Sequence, residues 1–188
     1  MRDKIKDIFL ESIHIKEEIM RTSISQIIDI ADLIIESLKK NGKVLLFGNG
    51  GSAADSQHIA AELIGRFKKD RSSLAAIALT TNTSVLTSLA NDYGYEVVFA
   101  KQIEALGNKN DIVIGISTSG KAKNVLLGIK QAKKMGIKTI ALTGGDGGEL
   151  AKTADLSLLV PSTVTARIQE AHIIIGHIVC EMVEEATC

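Results

Sequence analysis

Short apolar runs alternate with amphipathic segments along most of the chain. Five runs have the near-continuous apolar character of strands buried on both faces of a sheet, and they lie at 43–47, 74–79, 111–116, 137–142 and 156–160. Helical periodicity predicts helices at about 53–66, 84–90 and 96–106, from 120 to 134, briefly after 148, and at about 164–186. The alternation predicts an α/β fold, Rossmann-like or flavodoxin-like, with a five-stranded parallel sheet flanked by helices.

Two further amphipathic helices are predicted before the first strand, at 3–21 and 23–40. The second ends in Lys39-Lys40-Asn41-Gly42, a pattern typical of a helix C-terminus. Together they carry more apolar surface than one sheet face needs. They either cover the sheet or form an oligomer interface. We therefore expect a single domain over 1–188, with 1–42 serving packing and oligomerisation and 43–188 forming the core.

Composition excludes several classes of function. The chain has 188 residues, no net charge and only 3% aromatic residues, which argues against a nucleic-acid partner. No apolar run approaches the length of a membrane helix, and the charged N-terminus does not resemble a signal peptide. The two cysteines, Cys180 and Cys188, form no CxxC motif and fit a reducing compartment. We expect a cytoplasmic protein without membrane contact.

The carboxyl ends of the predicted strands are unusually polar, and ligands of parallel sheets bind at these ends. The turn 48–52, Gly-Asn-Gly-Gly-Ser, leads from the first strand into a helix and lets the backbone approach a ligand. The segment 117–120, Ser-Thr-Ser-Gly, offers three hydroxyls at a helix start, which suits a phosphate. The alternatives are a tight turn in the first case and simple N-capping in the second. Neither a Walker P-loop nor a GxGxxG fingerprint is present.

Titratable side chains on two helices are candidates for chemistry. His58 and Glu62 are four residues apart, so both project from one face and could hold a metal or move a proton, or could form an ordinary surface pair. Gln169, His172 and His177 interrupt the apolar last helix. Since Gln169 and His177 are eight residues apart, about 12 Å along a helix, one ligand could reach both only if their side chains stretch or two chains contribute.

Asp92, after Asn91, is either a loop carboxylate near a sugar hydroxyl or a residue of a helix C-terminal turn.

In combination, the segments GNGGSAADSQHIAAEL, ISTSG, ALTGGDGG and TARIQEAHIIIGH resemble the phosphoheptose isomerases of the sugar isomerase (SIS) domain superfamily. The resemblance covers nearly the whole chain. It implies conversion of sedoheptulose 7-phosphate to D-glycero-D-manno-heptose 7-phosphate, the first step toward activated heptoses for cell-surface lipopolysaccharide. It also implies a cytoplasmic homotetramer with active sites between subunits and one zinc ion per subunit.

The resemblance assigns roles residue by residue. It implies that Glu62 is the catalytic base and His177 the acid. The implied zinc ligands are His58, Glu62, Gln169 and His177. The implied sugar-phosphate contacts are Asn49, Gly50, Gly51, Asn91, Asp92, Ser117, Thr118, Ser119 and Gln169, to which we add Ser52 and Glu62.

One departure concerns the phosphate loop. Lys121-Ala122 stands where the family usually has Asn-Ser, so a substrate-contacting hydroxyl is lost, and Ser52 and Lys121 are candidates to compensate.

Three alternatives stay open. Because zinc ligation reduces the basicity of a glutamate, Glu62 either alternates between ligand and base or binds a mainly structural zinc. Some SIS relatives are non-catalytic sugar-phosphate-binding proteins, including one associated with the replication initiator, but they lack residues matching Glu62 and His177. A pentose 5-phosphate isomerase would usually carry additional regulatory domains.

Overall fold

The computed structural model describes residues 1–187, and its centre is the expected sheet of five parallel strands. Cys188 lies outside the described residues. Every residue of the first and third strands is buried, which explains why both read as uninterrupted apolar runs. The strands are β1 (Val44–Gly48), β2 (Ala76–Ala78), β3 (Ile112–Ser117), β4 (Lys138–Gly144) and β5 (Leu156–Val160).

Eight α-helices of the described chain surround this sheet on both faces. One apolar core joins α1, α2, α3 and α8 to one face, and a second joins α5, α6 and α7 to the other. The fold class predicted from the sequence is therefore confirmed. The helices are α1 (Arg2–Thr22), α2 (Ile24–Lys39), α3 (Gly51–Ile64), α4 (Thr83–Tyr93), α5 (Val98–Leu106), α6 (Lys123–Lys134), α7 (Gly148–Thr153) and α8 (Thr165–Thr187).

The strand β2 is shorter than the predicted run 74–79. It lies at the edge of the sheet and pairs only with β1. Pairing with β1 begins only at Ala76, because the Leu74 N–H donates to the Leu63 carbonyl of α3 and not to a neighbouring strand. The predicted helix 96–106 likewise differs at its start, where a 3₁₀ turn over Tyr95–Val97 precedes α5.

The two N-terminal helices serve the sheet and also leave apolar surface exposed. Ile27, Ile30 and Ile34 of α2 are buried in the core, so this helix packs against the sheet. Outside it, α1, α2 and α8 line an apolar groove of about 550 Å³. Exposed apolar side chains on these helices are Ile5, Ile8, Phe9, Leu10, Ile13, Met20, Ile24, Ile28, Ile174, Ile178 and Met182. Across residues 1–187, none of the helices combines the length and apolar character required to span a membrane.

The strand order β2-β1-β3-β4-β5 places the topological switch between β1 and β3. These strands are neighbours, with Gly48 opposite Ile116, yet the chain leaves them toward opposite sides of the sheet. A crevice therefore opens beyond their carboxyl ends, where parallel sheets bind ligands.

Candidate active site

A cleft of about 350 Å³ occupies this crevice. Its walls are the glycine turn after β1, the hydroxyl-rich loop after β3 and the start of α8. Three separate segments thus bring eight of the predicted substrate residues together. The lining residues are Asn49, Gly50, Gly51, Ser52, Ile116, Ser117, Thr118, Ser119, Ala122, Thr165 and Gln169.

Two glycines give the turn its shape for different reasons. Gly50 has a φ of 56°, in the left-handed region that favours glycine. At Gly51 the constraint is space, because a Cβ atom there would lie 2.5 Å from Nε2 of Gln169. The turn therefore lets α8 approach closely enough for Gln169 to face the cleft.

The hydroxyl-rich loop runs from the buried Ser117 at the end of β3 to the start of α6. The helix begins after Ala122, which has no side-chain acceptor with which to cap the first turn. The Val125 N–H donates to Oδ1 of Asn124, but the N–H groups of Lys123 and Asn124 have no cap among the described residues and remain available to an anion. Lys121 lies on a neighbouring cleft of about 460 Å³ that shares Thr118 and Ser119 with the first.

A hydrogen-bonded network holds Asn49 in the cleft. Asn49 and Asn124 exchange two amide hydrogen bonds, at 2.9 and 2.8 Å. The Tyr95 hydroxyl also donates to Oδ1 of Asn49 at 3.1 Å. Neither Asn124 nor Tyr95 was predicted from the sequence. Asn124 follows the hydroxyl-rich loop closely enough to have been considered, whereas no local pattern marks Tyr95.

Asn91 and Asp92 are not among the residues that line this cleft. Both are exposed near the end of α4, where the Asn91 amide donates to Asp92 at 2.8 Å. Their contact with a sugar stays a prediction.

A second cluster lies further along α3. His58, Glu62 and His177 offer ligand atoms that all lie within 4.8 Å of one another. Nε2 of His58 is 3.1 Å from Oε1 of Glu62 and 3.0 Å from Nε2 of His177. We call these three side chains the donor triad. Three of the four predicted ligands therefore meet, contributed by two helices.

The contacts within the donor triad favour a shared cation. Nε2 of His58 carries at most one hydrogen, which can be directed at Glu62 or at His177 but not well at both. Without a cation, one electron-rich atom therefore faces another at hydrogen-bond distance. A metal ion bound between them would satisfy all three, and two imidazoles with one carboxylate are a ligand set that zinc accepts. The residues present thus fit a metal.

Gln169, the fourth predicted ligand, lies eight residues before His177 on α8 and contacts the glycine turn. Its position joins it to the cleft. Its ligation of a metal stays a prediction, since the separation of about 12 Å along the helix persists in the fold.

Asp55 lies on α3 between the cleft and the donor triad, three residues before His58. Burial raises the pKa of its carboxyl to about 6, and the nearby His58 imidazole acts in the opposite direction. Its Oδ2 is buried without a hydrogen-bond partner among the described residues. Asp55 was not predicted from the sequence, because nothing in the pattern of an amphipathic helix distinguishes a buried Asp from an exposed one.

His172, the remaining polar residue singled out on α8, is placed elsewhere. It is fully buried, and its Nε2 lies 3.0 Å from the carbonyl oxygen of Thr143 on β4. It belongs to the core and not to the cleft.

Comparison with known proteins agrees with this arrangement. The family model for the SIS domain matches residues 9–144. The chain is 55% identical over 188 residues to the phosphoheptose isomerase of Aquifex aeolicus, which covers all of this chain and 98% of that protein. Solved phosphoheptose isomerases from Neisseria gonorrhoeae and Francisella tularensis are 44% and 40% identical, with TM-scores of 0.93 and 0.94. They are matched over 98% and 97% of both chains. The chain belongs to the phosphoheptose isomerase family of SIS-domain proteins.

Proposed function

We propose that this protein is an aldose–ketose isomerase that converts sedoheptulose 7-phosphate to D-glycero-D-manno-heptose 7-phosphate through an enediol. The observation that carries the proposal is the donor triad, in which a carboxylate and two imidazoles converge beyond a hydroxyl-rich cleft. Membership in the phosphoheptose isomerase family supports it independently.

The distance between cleft and donor triad suits the substrate. His58 follows Gly51 by seven residues, about 10 Å along the axis of α3. A seven-carbon ketose phosphate carries its phosphate and its carbonyl at opposite ends. With the phosphate at Ser117, Thr118 and Ser119, the carbon chain can extend past Gln169 toward the donor triad.

The chemistry requires a proton to move between C1 and C2 of the sugar. Glu62 is the proposed base, since its carboxylate lies at the edge of the donor triad and is only partly exposed. His177 is the proposed acid, which protonates the oxygen that gains charge. Asn49, fixed by Asn124, orients the sugar between them.

Zinc is the metal we propose for the site, held by His58, Glu62 and His177, with Gln169 as the fourth ligand predicted from the family resemblance. When bound, it would polarise the sugar carbonyl and stabilise the enediolate. Because a carboxylate that holds zinc would be a weaker base, Glu62 would serve alternately as ligand and as base, or the metal would be mainly structural. Comparing turnover with and without zinc distinguishes the two.

We further propose a homotetramer that works in the cytoplasm and supplies heptose for lipopolysaccharide. The exposed apolar side chains of α1, α2 and α8 support association with further copies, because monomers rarely expose an apolar surface of this extent.

The test is to mix the zinc-loaded protein with sedoheptulose 7-phosphate and follow aldose formation by NMR. Glu62→Gln keeps the size of the side chain and should lower kcat by about 10²–10⁴-fold, the contribution of general base catalysis. Glu36→Gln is the matched control, because Glu36 also belongs to an i,i+4 pair on a helix but is remote from the cleft. Binding without turnover by the wild-type protein would instead indicate a non-catalytic sugar-phosphate-binding protein.

A further inference from the structure

Glu184 of α8 forms a buried network close to the donor triad. Its side chain is only 1% exposed. The carboxylate accepts hydrogen bonds from the backbone N–H groups of Phe67, Lys68 and Lys69, at 3.0, 2.8 and 3.0 Å. Nε of Arg71 donates to it at 3.0 Å. A single carboxylate therefore holds the loop that follows α3.

Arg71 connects this carboxylate to the helix that carries the proposed base. Its guanidinium donates to the backbone carbonyls of Glu62 and Leu63, each at 2.9 Å. These carbonyls lie in the last turn of α3, where no following helical turn supplies N–H groups to bond to them. Glu62 is thus tied through its own backbone, by way of Arg71, to Glu184 on α8.

The same loop reaches His177. The ring of Phe67 lies 5.6 Å from the His177 imidazole, with an angle of 33° between the two planes. Because the Phe67 N–H is bound by Glu184, the position of this ring depends on the same carboxylate. His177 itself lies seven residues, two helical turns, before Glu184 on α8.

The charges of this network are maintained despite burial. Burial raises the pKa of the Glu184 carboxyl, but the N–H groups of the loop and the Arg71 guanidinium outweigh it and hold that pKa below its usual range. Buried ion pairs add little net stability compared with apolar side chains of similar volume. A buried ion pair beside a site that needs accurate geometry is better explained by the placement it enforces.

We propose that Glu184 and Arg71 are positioning residues that set the spacing between Glu62 and His177. Glu184 fixes the loop and its phenylalanine against His177, and Arg71 fixes the end of α3 at Glu62. The inference rests on the proposed function for its effect on turnover, but the spacing also governs the affinity for a metal, which can be measured without substrate.

Glu184→Gln tests the proposal while keeping the shape of the side chain. An amide has one acceptor oxygen in place of two, so it cannot bind all four donors. The control is Asp111→Asn. Asp111 is also buried and accepts hydrogen bonds from the backbone N–H groups of Lys43 and Asn108 and from the Lys43 ammonium. It lies at the amino ends of β1 and β3, whereas the cleft lies beyond their carboxyl ends.

We measure zinc affinity by competition with a chelator, the visible spectrum of the cobalt-substituted protein, kcat and KM. Glu184→Gln should weaken zinc binding about 10–100-fold, the usual effect of losing support around metal ligands. It should change the cobalt spectrum and lower kcat at least about tenfold with little change in KM. Asp111→Asn should leave the zinc affinity, kcat and KM within about twofold of the wild type and the cobalt spectrum unchanged. Both variants should nevertheless melt at a lower temperature than the wild type.

Equal effects of the two variants on zinc affinity and kcat would overturn the proposal, since they would reduce Glu184 to general stability. Should Glu184→Gln fail to fold, Arg71→Lys takes its place, because lysine keeps the charge but cannot bond to Glu62, Leu63 and Glu184 together. Unchanged zinc affinity in Arg71→Lys would refute the proposal as well. If the wild type binds zinc but does not turn over the sugar, the proposed function fails while the affinity measurements still decide this inference.

Discussion

Burial of His172 makes the stability of the protein depend on pH. The side chain is fully buried, and its Nε2–H donates to the Thr143 carbonyl at 3.0 Å. Nδ1 is buried as well and has no hydrogen-bond partner among the described residues. Protonation of Nδ1 would therefore place an unpartnered charge in the core. Burial lowers the pKa of His172 to about 4 from an ordinary value of 6.5, with the Thr143 hydrogen bond acting in the opposite direction.

The sign and size of the effect follow from proton binding. Between pH 6.5 and pH 4 the unfolded chain binds a proton at His172 and the folded chain does not, so the free energy of unfolding falls as the pH falls through this window. The loss amounts to about 2 kcal/mol at pH 5 and levels off near 3 kcal/mol below pH 4. For a domain of this size, 2 kcal/mol corresponds to a decrease of roughly 4–8 °C in Tm.

The assay is urea unfolding of the metal-free protein at pH 7.5 and pH 5.0, at one protein concentration. His172→Gln keeps an amide N–H for Thr143 but cannot titrate. The wild type should lose about 2 kcal/mol more than His172→Gln between the two pH values, since all other groups cancel in the comparison. His14→Gln is the control, because His14 is exposed, and should behave as the wild type. An equal loss in wild type and His172→Gln would show that His172 is not the source of the pH dependence.

Three further substitutions test the cleft and the helix contact. Gly51→Ala places a Cβ 2.5 Å from the Gln169 amide, so we expect KM to rise about tenfold at steady state, and an unchanged KM would contradict the close contact. Ala122→Ser supplies a cap for α6, which should raise the unfolding free energy by about 0.5–2 kcal/mol. The restored hydroxyl should also lower KM. A decrease in stability would argue against this position as the N-cap. Gly176→Ala places a Cβ 2.7 Å from Ile59 and should separate α3 from α8, at about 1–3 kcal/mol in urea unfolding and with weaker zinc binding in chelator competition. Wild-type zinc affinity in that variant would show that the helices can adjust.

Much of the fold was predictable, because strands that are buried on both faces consist almost entirely of apolar residues. β1 and β3 are buried on both faces and are therefore apolar throughout. The contact between His58 and Glu62 was predictable too, since a four-residue spacing places two side chains on one helix face, and they lie 3.1 Å apart. The edge strand β2 was predicted less well, because pairing on one side only leaves its ends undefined.

Contacts between distant segments could not be derived from spacing. His177 reaches His58 across 119 residues only because α3 and α8 pack together, with Ile59 against Gly176. The contact of Tyr95 with Asn49 also depends on packing, since the two residues lie 46 positions apart in the sequence. The family resemblance named His177 as a partner in the site, but it offered no account of Tyr95 or Glu184.

The network around Asn49 has a consequence for selectivity among sugars. The backbone N–H of Val125 donates to Oδ1 of Asn124, which settles the orientation of that amide. Its nitrogen must then face Oδ1 of Asn49, so the second amide cannot rotate by half a turn either. Because Asn124 and Tyr95 already donate to Oδ1 of Asn49, this amide has only its second N–H left for a sugar oxygen. A site with a fixed donor discriminates against analogues that lack the matching oxygen. A sugar phosphate deoxygenated at that carbon should therefore be a much poorer substrate than one that differs only in size.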